Sequence, residues 1–167
     1  MTDTTALDIL KNAILLERRG KAFYTRVADQ ASAQAVKDFF SMMADEEDKH
    51  VAVLSEQYQA YRGTGVFAAG NWGEKASAGF SSEILSERLK REISAADFEA
   101  AAIAAALSME RNAVRFYGER AAAATDPQEK ALYQWLSDWE TEHLEFLSKV
   151  DREVIEEIWN DAHFWPM

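Results

Sequence analysis

Glu47 and His50 stand three residues apart, and so do Glu140 and His143. On a helix that spacing puts a carboxylate and an imidazole on one face. Each pair can therefore reach one point in space, where oxygen and nitrogen donors together suit a transition-metal ion. The second pair follows the first by 93 positions, and the same offset relates Glu17 to Glu110 and Tyr24 to Tyr117. Two such pairs and two single glutamates, projecting inward from four helices, make the ligand set of a di-metal carboxylate site.

Charge explains why metal belongs there. An isolated buried carboxylate costs on the order of tens of kcal/mol unless it is paired or coordinates an ion. Four together repel one another and raise one another's pKa. Two divalent cations cancel the four charges of Glu17, Glu47, Glu110 and Glu140, while His50 and His143 donate as neutral rings. Mixed carboxylate and imidazole ligands suit iron, manganese or zinc, whereas calcium and magnesium prefer oxygen alone. Iron is the first expectation, with zinc or manganese as substitutes. Glu47 and Glu140 are placed as bridging ligands, with Glu17 and His50 terminal on one metal and Glu110 and His143 on the other.

Tyr24 and Tyr117 lie seven residues beyond Glu17 and Glu110, on the same face two turns away. Each is either a hydrogen-bond donor to a metal-bound carboxylate across the core or an aromatic core filler. Gly20 and Ala113 lie one turn beyond the same glutamates. Their small size either leaves room for a small ligand such as O₂ or H₂O₂ or lets helices pack closely.

The elements that must position these groups are helices. Alanine, leucine and glutamate dominate, strand-like alternation is scarce, and the two prolines are Pro127 and Pro166. The pattern predicts helices over about 5–29, from a cap at Ser32 to about 61, from a cap at Ser94 to about 124, and from Asp126-Pro127 to about 159. A loop rich in Gly, Ala and Ser follows Gly63, and Ser82 is expected to cap a short helix through Arg91. Four inward stripes emerge at spacings of three and four. They run Leu10, Ala13, Glu17, Gly20, Tyr24, Val27; Val36, Phe40, Met43, Glu47, His50, Leu54; Ile103, Ala106, Glu110, Ala113, Tyr117, Ala121; and Tyr133, Leu136, Glu140, His143, Leu147, Val150. Each is apolar except at its middle.

Short first and third links predict two antiparallel hairpins, and the long second link, about 62–93, crosses the bundle. The fold class expected is all-α, a single ferritin-like four-helix domain over 1–167 with a C-terminal tail from about 160. The hairpins look like copies of one another. At the 93-residue offset Arg18, Phe23, Lys37, Asp45 and Leu54 also match their counterparts. Shared helical composition explains matched alanines and leucines but not the coincidence of Glu, Tyr, Glu and His.

Other features bound the function. The 167 residues suit one domain, and 48% hydrophobic content suffices for a core. Membrane-spanning apolar runs are absent, and residues 1–8 lack the pattern of a secretory leader. With no cysteine, thiolate metal sites, disulfides and cysteine nucleophiles are excluded, and a cytoplasmic location is expected. A net charge of −11 argues against nucleic acid as a partner. Glu46 and Glu142 are expected to be surface charges, and His163 to be solvated. Trp135, Trp139, Trp159 and Trp165 with Phe164 are core or a dimer face, the last two expected at the interface, and Trp72 is expected to pin the crossover.

The set Leu16-Glu17 with Phe23-Tyr24, Glu46 to His50, Met109-Glu110 with Phe116-Tyr117, and Glu140 to Leu144 resembles rubrerythrin-like proteins over roughly residues 8–155. That resemblance implies a non-haem di-iron centre and oxidation of ferrous iron by O₂ or H₂O₂, or reduction of peroxide. Rubrerythrins usually carry an appended rubredoxin domain with four cysteines; its absence here implies an external electron-donor protein. They also carry an additional glutamate where this chain has Ala113, so the remaining set is similar to the ferroxidase centre of bacterioferritin. No fifth helix follows the fourth in the sequence pattern, which favours a homodimer over a hollow shell. The alternative functions are an iron-binding or storage module without turnover, or a bundle whose metals are structural.

Overall fold

The computed structural model describes residues 5–70, 89, 92–93 and 97–160. Four helices dominate them: α1 (Ala6–Gln30), α2 (Gln34–Thr64), α3 (Asp97–Ala123) and α4 (Pro127–Asn160). Strands are absent among the described residues. α1 packs chiefly on α2, and α3 on α4, so the two expected hairpins are the units of the bundle.

Local chemistry sets the helix ends. Thr5 caps α1 in a capping box: its hydroxyl accepts from the Asp8 N–H, and the Asp8 carboxylate accepts from the Thr5 N–H. Asp126 does the same work for α4, its carboxylate accepting from Gln128 N–H at 2.7 Å and Glu129 N–H at 3.1 Å, with Pro127 in the first turn. α2 departs from expectation. Its N-cap is Ala33, not Ser32, and no side chain on the cap accepts a bond. The reason is tertiary: Glu92, from the crossover, reaches back to accept the Ala35 N–H at 3.0 Å. α2 also runs three residues past the expected end, through Gly63, and stops at Gly65. That residue takes the left-handed conformation (φ 76°) and donates its N–H to the Tyr61 carbonyl.

Every residue of the four expected stripes is buried. The core divides into two apolar halves. One gathers Tyr24, Val27, Val36, Phe39, Phe40, Met43, Ile103, Leu147 and Val150, with Leu89 and Ile93 from the crossover packed into it. The other gathers Leu10, Leu54, Phe67, Tyr117, Leu132, Tyr133 and Leu136. Along each helix the glutamates and histidines fall between the two halves, so the polar layer is closed above and below by hydrocarbon. The expected caps at Ser82 and Ser94, Trp72, and the tail from 161 with His163, Phe164 and Trp165 lie outside the described residues, as does the Trp159 side chain.

Candidate metal centre

Each helix contributes to the polar layer at its middle: Glu17 from α1, Glu47 and His50 from α2, Glu110 from α3, Glu140 and His143 from α4. All six side chains are buried, none more than 3% exposed. They form two overlapping groups. Glu17, Glu47, His50 and Glu140 bring one donor atom each to within 4.8 Å of one another, and so do Glu47, Glu110, Glu140 and His143. Glu47 and Glu140 belong to both groups.

Both imidazoles turn Nδ1 inward. His50 Nδ1 lies 2.9 Å from Glu140 Oε1, 3.2 Å from Glu17 Oε2 and 3.5 Å from Glu47 Oε2. His143 Nδ1 lies 3.3 Å from Glu140 Oε2 and 3.9 Å from Glu110 Oε1. The tyrosines reach across the repeat. Tyr24 of the first hairpin donates to Glu110 of the second, and Tyr117 of the second donates to Glu17 of the first. Both phenols are fully buried and hydrogen-bonded, so they are more than core filler.

The electrostatics are those of a cluster short of positive charge. Burial, then the charge of Glu140, pushes the Glu47 and Glu110 carboxyls well above the usual carboxylate range. Glu17 goes the other way: hydrogen bonds from Glu47, His50 and Tyr117 outweigh its burial and lower it. Burial opposes protonation of His50, but the charge of Glu140 and the close approach of three carboxylates win, and its pKa rises well above 6.5. His143 is lowered, burial first and the neighbouring His50 charge adding to it. Burial and the facing carboxylates raise both tyrosines.

These features fit a pair of metal ions. Neither oxygen of Glu140 accepts a well-aligned hydrogen bond although both are buried. Leaving such groups unsatisfied costs about 1–3 kcal/mol each, more when charged. After burial itself, the influences on Glu17, Glu47 and Glu110 come from one another, from Glu140, and from the histidines and tyrosines of the layer, not from lysine or arginine. Divalent ions held between these groups would supply the missing positive charge.

Gly20 has a specific reason to be small. A Cβ there would stand 3.1 Å from the Glu47 carboxyl carbon and 3.3 Å from Glu47 Oε1. Beside it, between α1 and α3, a cavity of about 620 Å³ reaches Glu17, Glu47, Glu110 and Glu140, with Leu16, Met109, Ala113 and Phe116 on its walls. Seating the Glu47 carboxylate is a role the sequence did not announce for Gly20, and Gly20 and Ala113 both line the space beside the cluster.

Two expectations need correction. Glu46 is not a surface charge: it is 5% exposed, its Oε1 accepts from Lys49 Nζ at 2.6 Å, and its charge acts on His143. Glu142 is half-buried rather than exposed. A signal for Glu46 existed in the repeat. The 93-residue offset pairs it with Trp139, which is also buried and stands against the other imidazole, His50. Trp139 and Trp135, left open between core and interface, both pack edge-on to that ring.

Four antiparallel helices around two overlapping carboxylate–imidazole groups define a ferritin-like bundle of the di-metal carboxylate type. Residues 8–151 match the family model of rubrerythrin, and the chain belongs to that family, whose bundles bind a pair of iron ions. No curated protein and no solved structure matches it. No helix among the described residues is long and apolar enough to cross a membrane.

Proposed function

We propose that the chain is a non-haem di-iron oxidoreductase in which ferrous iron reacts with O₂ or H₂O₂, of ferroxidase or peroxidase type. The observation that carries this reading is the sharing of Glu47 and Glu140 between two buried ligand groups. A single structural ion needs one such group; a shared pair of carboxylates suits two ions side by side. Glu17 and His50 then complete one metal, and Glu110 and His143 the other. Iron supplies the electrons when bound.

The remaining steps belong to the chain's own residues. Glu17, Glu47, Glu110 and Glu140 would balance the charge of two divalent cations held between them. Tyr24 and Tyr117 hold the Glu110 and Glu17 carboxylates in place by hydrogen bonds. The cavity beside Gly20 and Ala113 gives O₂ or H₂O₂ a route to the centre from the α1/α3 side. With no cysteine in the chain, reducing equivalents come from an external donor protein. A cytoplasmic homodimer is the setting proposed for this chemistry.

Anaerobic loading with Fe²⁺ followed by stopped-flow mixing tests the proposal. Two irons per chain and a ferric absorption band after O₂ or H₂O₂ are expected. Loaded protein that gives no such band with either oxidant would falsify it, and many irons per chain in a large assembly would assign storage instead.

A further inference from the structure

Trp135 and Trp139 have no part in the chemistry described so far, yet they touch the centre. Trp139 is buried, and its ring centroid lies 5.1 Å from that of His50, edge-on at 88°. Trp135 sits one turn earlier on α4, 4.9 Å from Trp139 and 6.0 Å from His50. It is half-buried. The two indoles therefore make an unbroken aromatic path from a residue of the cluster to the protein surface.

Packing alone does not call for them. The counterparts of Trp135 and Trp139 at the 93-residue offset are Met42 and Glu46, so the other half of the same bundle is built without indoles. Trp139 Nε1 is also buried without a hydrogen-bond partner. A buried indole usually finds one, and an orphaned donor in a native core asks for a reason other than packing.

Indole and phenol are the most readily oxidised side chains of a chain without cysteine. Neither phenol at the centre begins an unbroken run of oxidisable rings to the surface. Tyr24 is flanked by Phe23 and Phe40, and the aromatic path from Tyr117 through Tyr133 reaches the half-buried Tyr61 only by way of Phe67, which interrupts the run of oxidisable rings. Phenylalanine does not give up an electron under these conditions. The tryptophans alone, among the described aromatics at the centre, offer consecutive oxidisable rings out to solvent.

We propose that Trp139 and Trp135 form a relay that carries oxidising equivalents from the metal centre to the protein surface; the inference rests on the di-iron reading above. Trp139 gives one electron, by way of His50, to the iron pair oxidised by O₂ or H₂O₂. Its Nε1–H has no acceptor, so the proton stays and the product is an indole radical cation. Trp135 then returns one electron to Trp139. A one-electron reductant, small molecule or protein, restores Trp135 at its exposed edge. One electron passes from reductant to metal, no covalent bond forms or breaks, and no proton leaves the chain. The relay spares the ligands from oxidation when peroxide outruns the electron donor.

Freeze-quench electron paramagnetic resonance on the Fe²⁺-loaded full chain, mixed with H₂O₂ without reductant, tests the relay. An indole-centred radical is expected in the wild type and absent in Trp139→Phe. In Trp135→Phe it forms but, once ascorbate is added in a second mixing step, persists at least about tenfold longer than in wild type, equivalent to about 1.4 kcal/mol on its decay barrier, because its exit is cut. A second readout needs no turnover: Co²⁺ binding quenches indole fluorescence, and Trp139→Phe removes most of that quenching with unchanged cobalt stoichiometry. The same radical in Trp139→Phe overturns the relay, as does equal decay in wild type and Trp135→Phe. A wild type that takes up and oxidises iron without any indole radical overturns the relay alone. A wild type that takes up no iron overturns the relay and the proposed function together.

Discussion

Glu140 illustrates how one side chain carries opposite consequences with and without metal. Its two oxygens face His50 and His143 at 2.9 and 3.3 Å, and neither accepts a well-aligned hydrogen bond. Glu140→Gln keeps the shape and removes the charge. The metal-free variant is expected to be more stable than wild type by about 1–3 kcal/mol, since a repulsive buried charge is gone. Its metal content is expected to fall below two ions per chain with helicity retained. Chemical denaturation with chelator present and metal analysis check the two halves; full metal content in Glu140→Gln would remove that residue from the ligand set. Gly20→Ala acts on the same layer from behind. The added methyl favours the helix by about 1 kcal/mol but stands 3.1 Å from the Glu47 carboxyl carbon. Little net change in thermal stability is expected, together with weaker Co²⁺ binding in a titration, because Glu47 must shift.

At the scale of elements, the two hairpins solve one problem twice with different parts. Asp126 caps α4, while Ala33, its counterpart at the 93-residue offset, leaves α2 uncapped and dependent on Glu92 for the Ala35 N–H. Ala33→Asp is expected to stabilise the chain by about 0.5–1 kcal/mol, and Glu92→Ala to destabilise it by a similar amount. Thermal unfolding of the two variants and their combination checks this. The combination is expected to recover much of the loss, because both groups serve the same helix end. The stripes, hairpin partners and short links were legible because each follows from local periodicity and spacing. The start of α2 was not: a serine near a helix start reads as a cap, and nothing in the local sequence reports a carboxylate arriving from 57 residues away.

For the molecule as a whole, the cluster makes stability depend on pH and on metal together. In the metal-free chain Glu47 and Glu110 hold their protons to higher pH than the ordinary value of 4.5, so the folded state binds more protons than the unfolded one above that value. Stability then falls as pH rises. His50, raised above 6.5, contributes in the same direction from neutrality upward, while lowered His143 opposes it below 6.5 and lowered Glu17 acts only below 4.5. The melting temperature of chelated protein is therefore expected to drop between about pH 5 and pH 8. Metal reverses the trend, because the ligands bind as carboxylates and neutral imidazoles. One ion at a hundredfold excess over its Kd adds about 2.7 kcal/mol, which raises the melting temperature by about 5–10 °C in a chain of this size. Melting curves across this range, with chelator and with Co²⁺, check both signs. A chelated chain that gains stability as pH rises would contradict the charge shortage on which the metal assignment rests.

The sequence by itself determined that four helices place two glutamates and two Glu-x-x-His pairs on inward faces, because helical geometry converts spacing into direction without reference to anything distant. The repeat at 93 positions added that the two hairpins bring equivalent groups. Only the tertiary structure decided which groups face which: Tyr24 on Glu110, Tyr117 on Glu17, Glu46 buried near His143, and the two tryptophans against His50. Those pairings depend on how one hairpin is rotated and packed against the other. That rotation is set by the summed fit of two apolar half-cores, which no short stretch of the chain encodes.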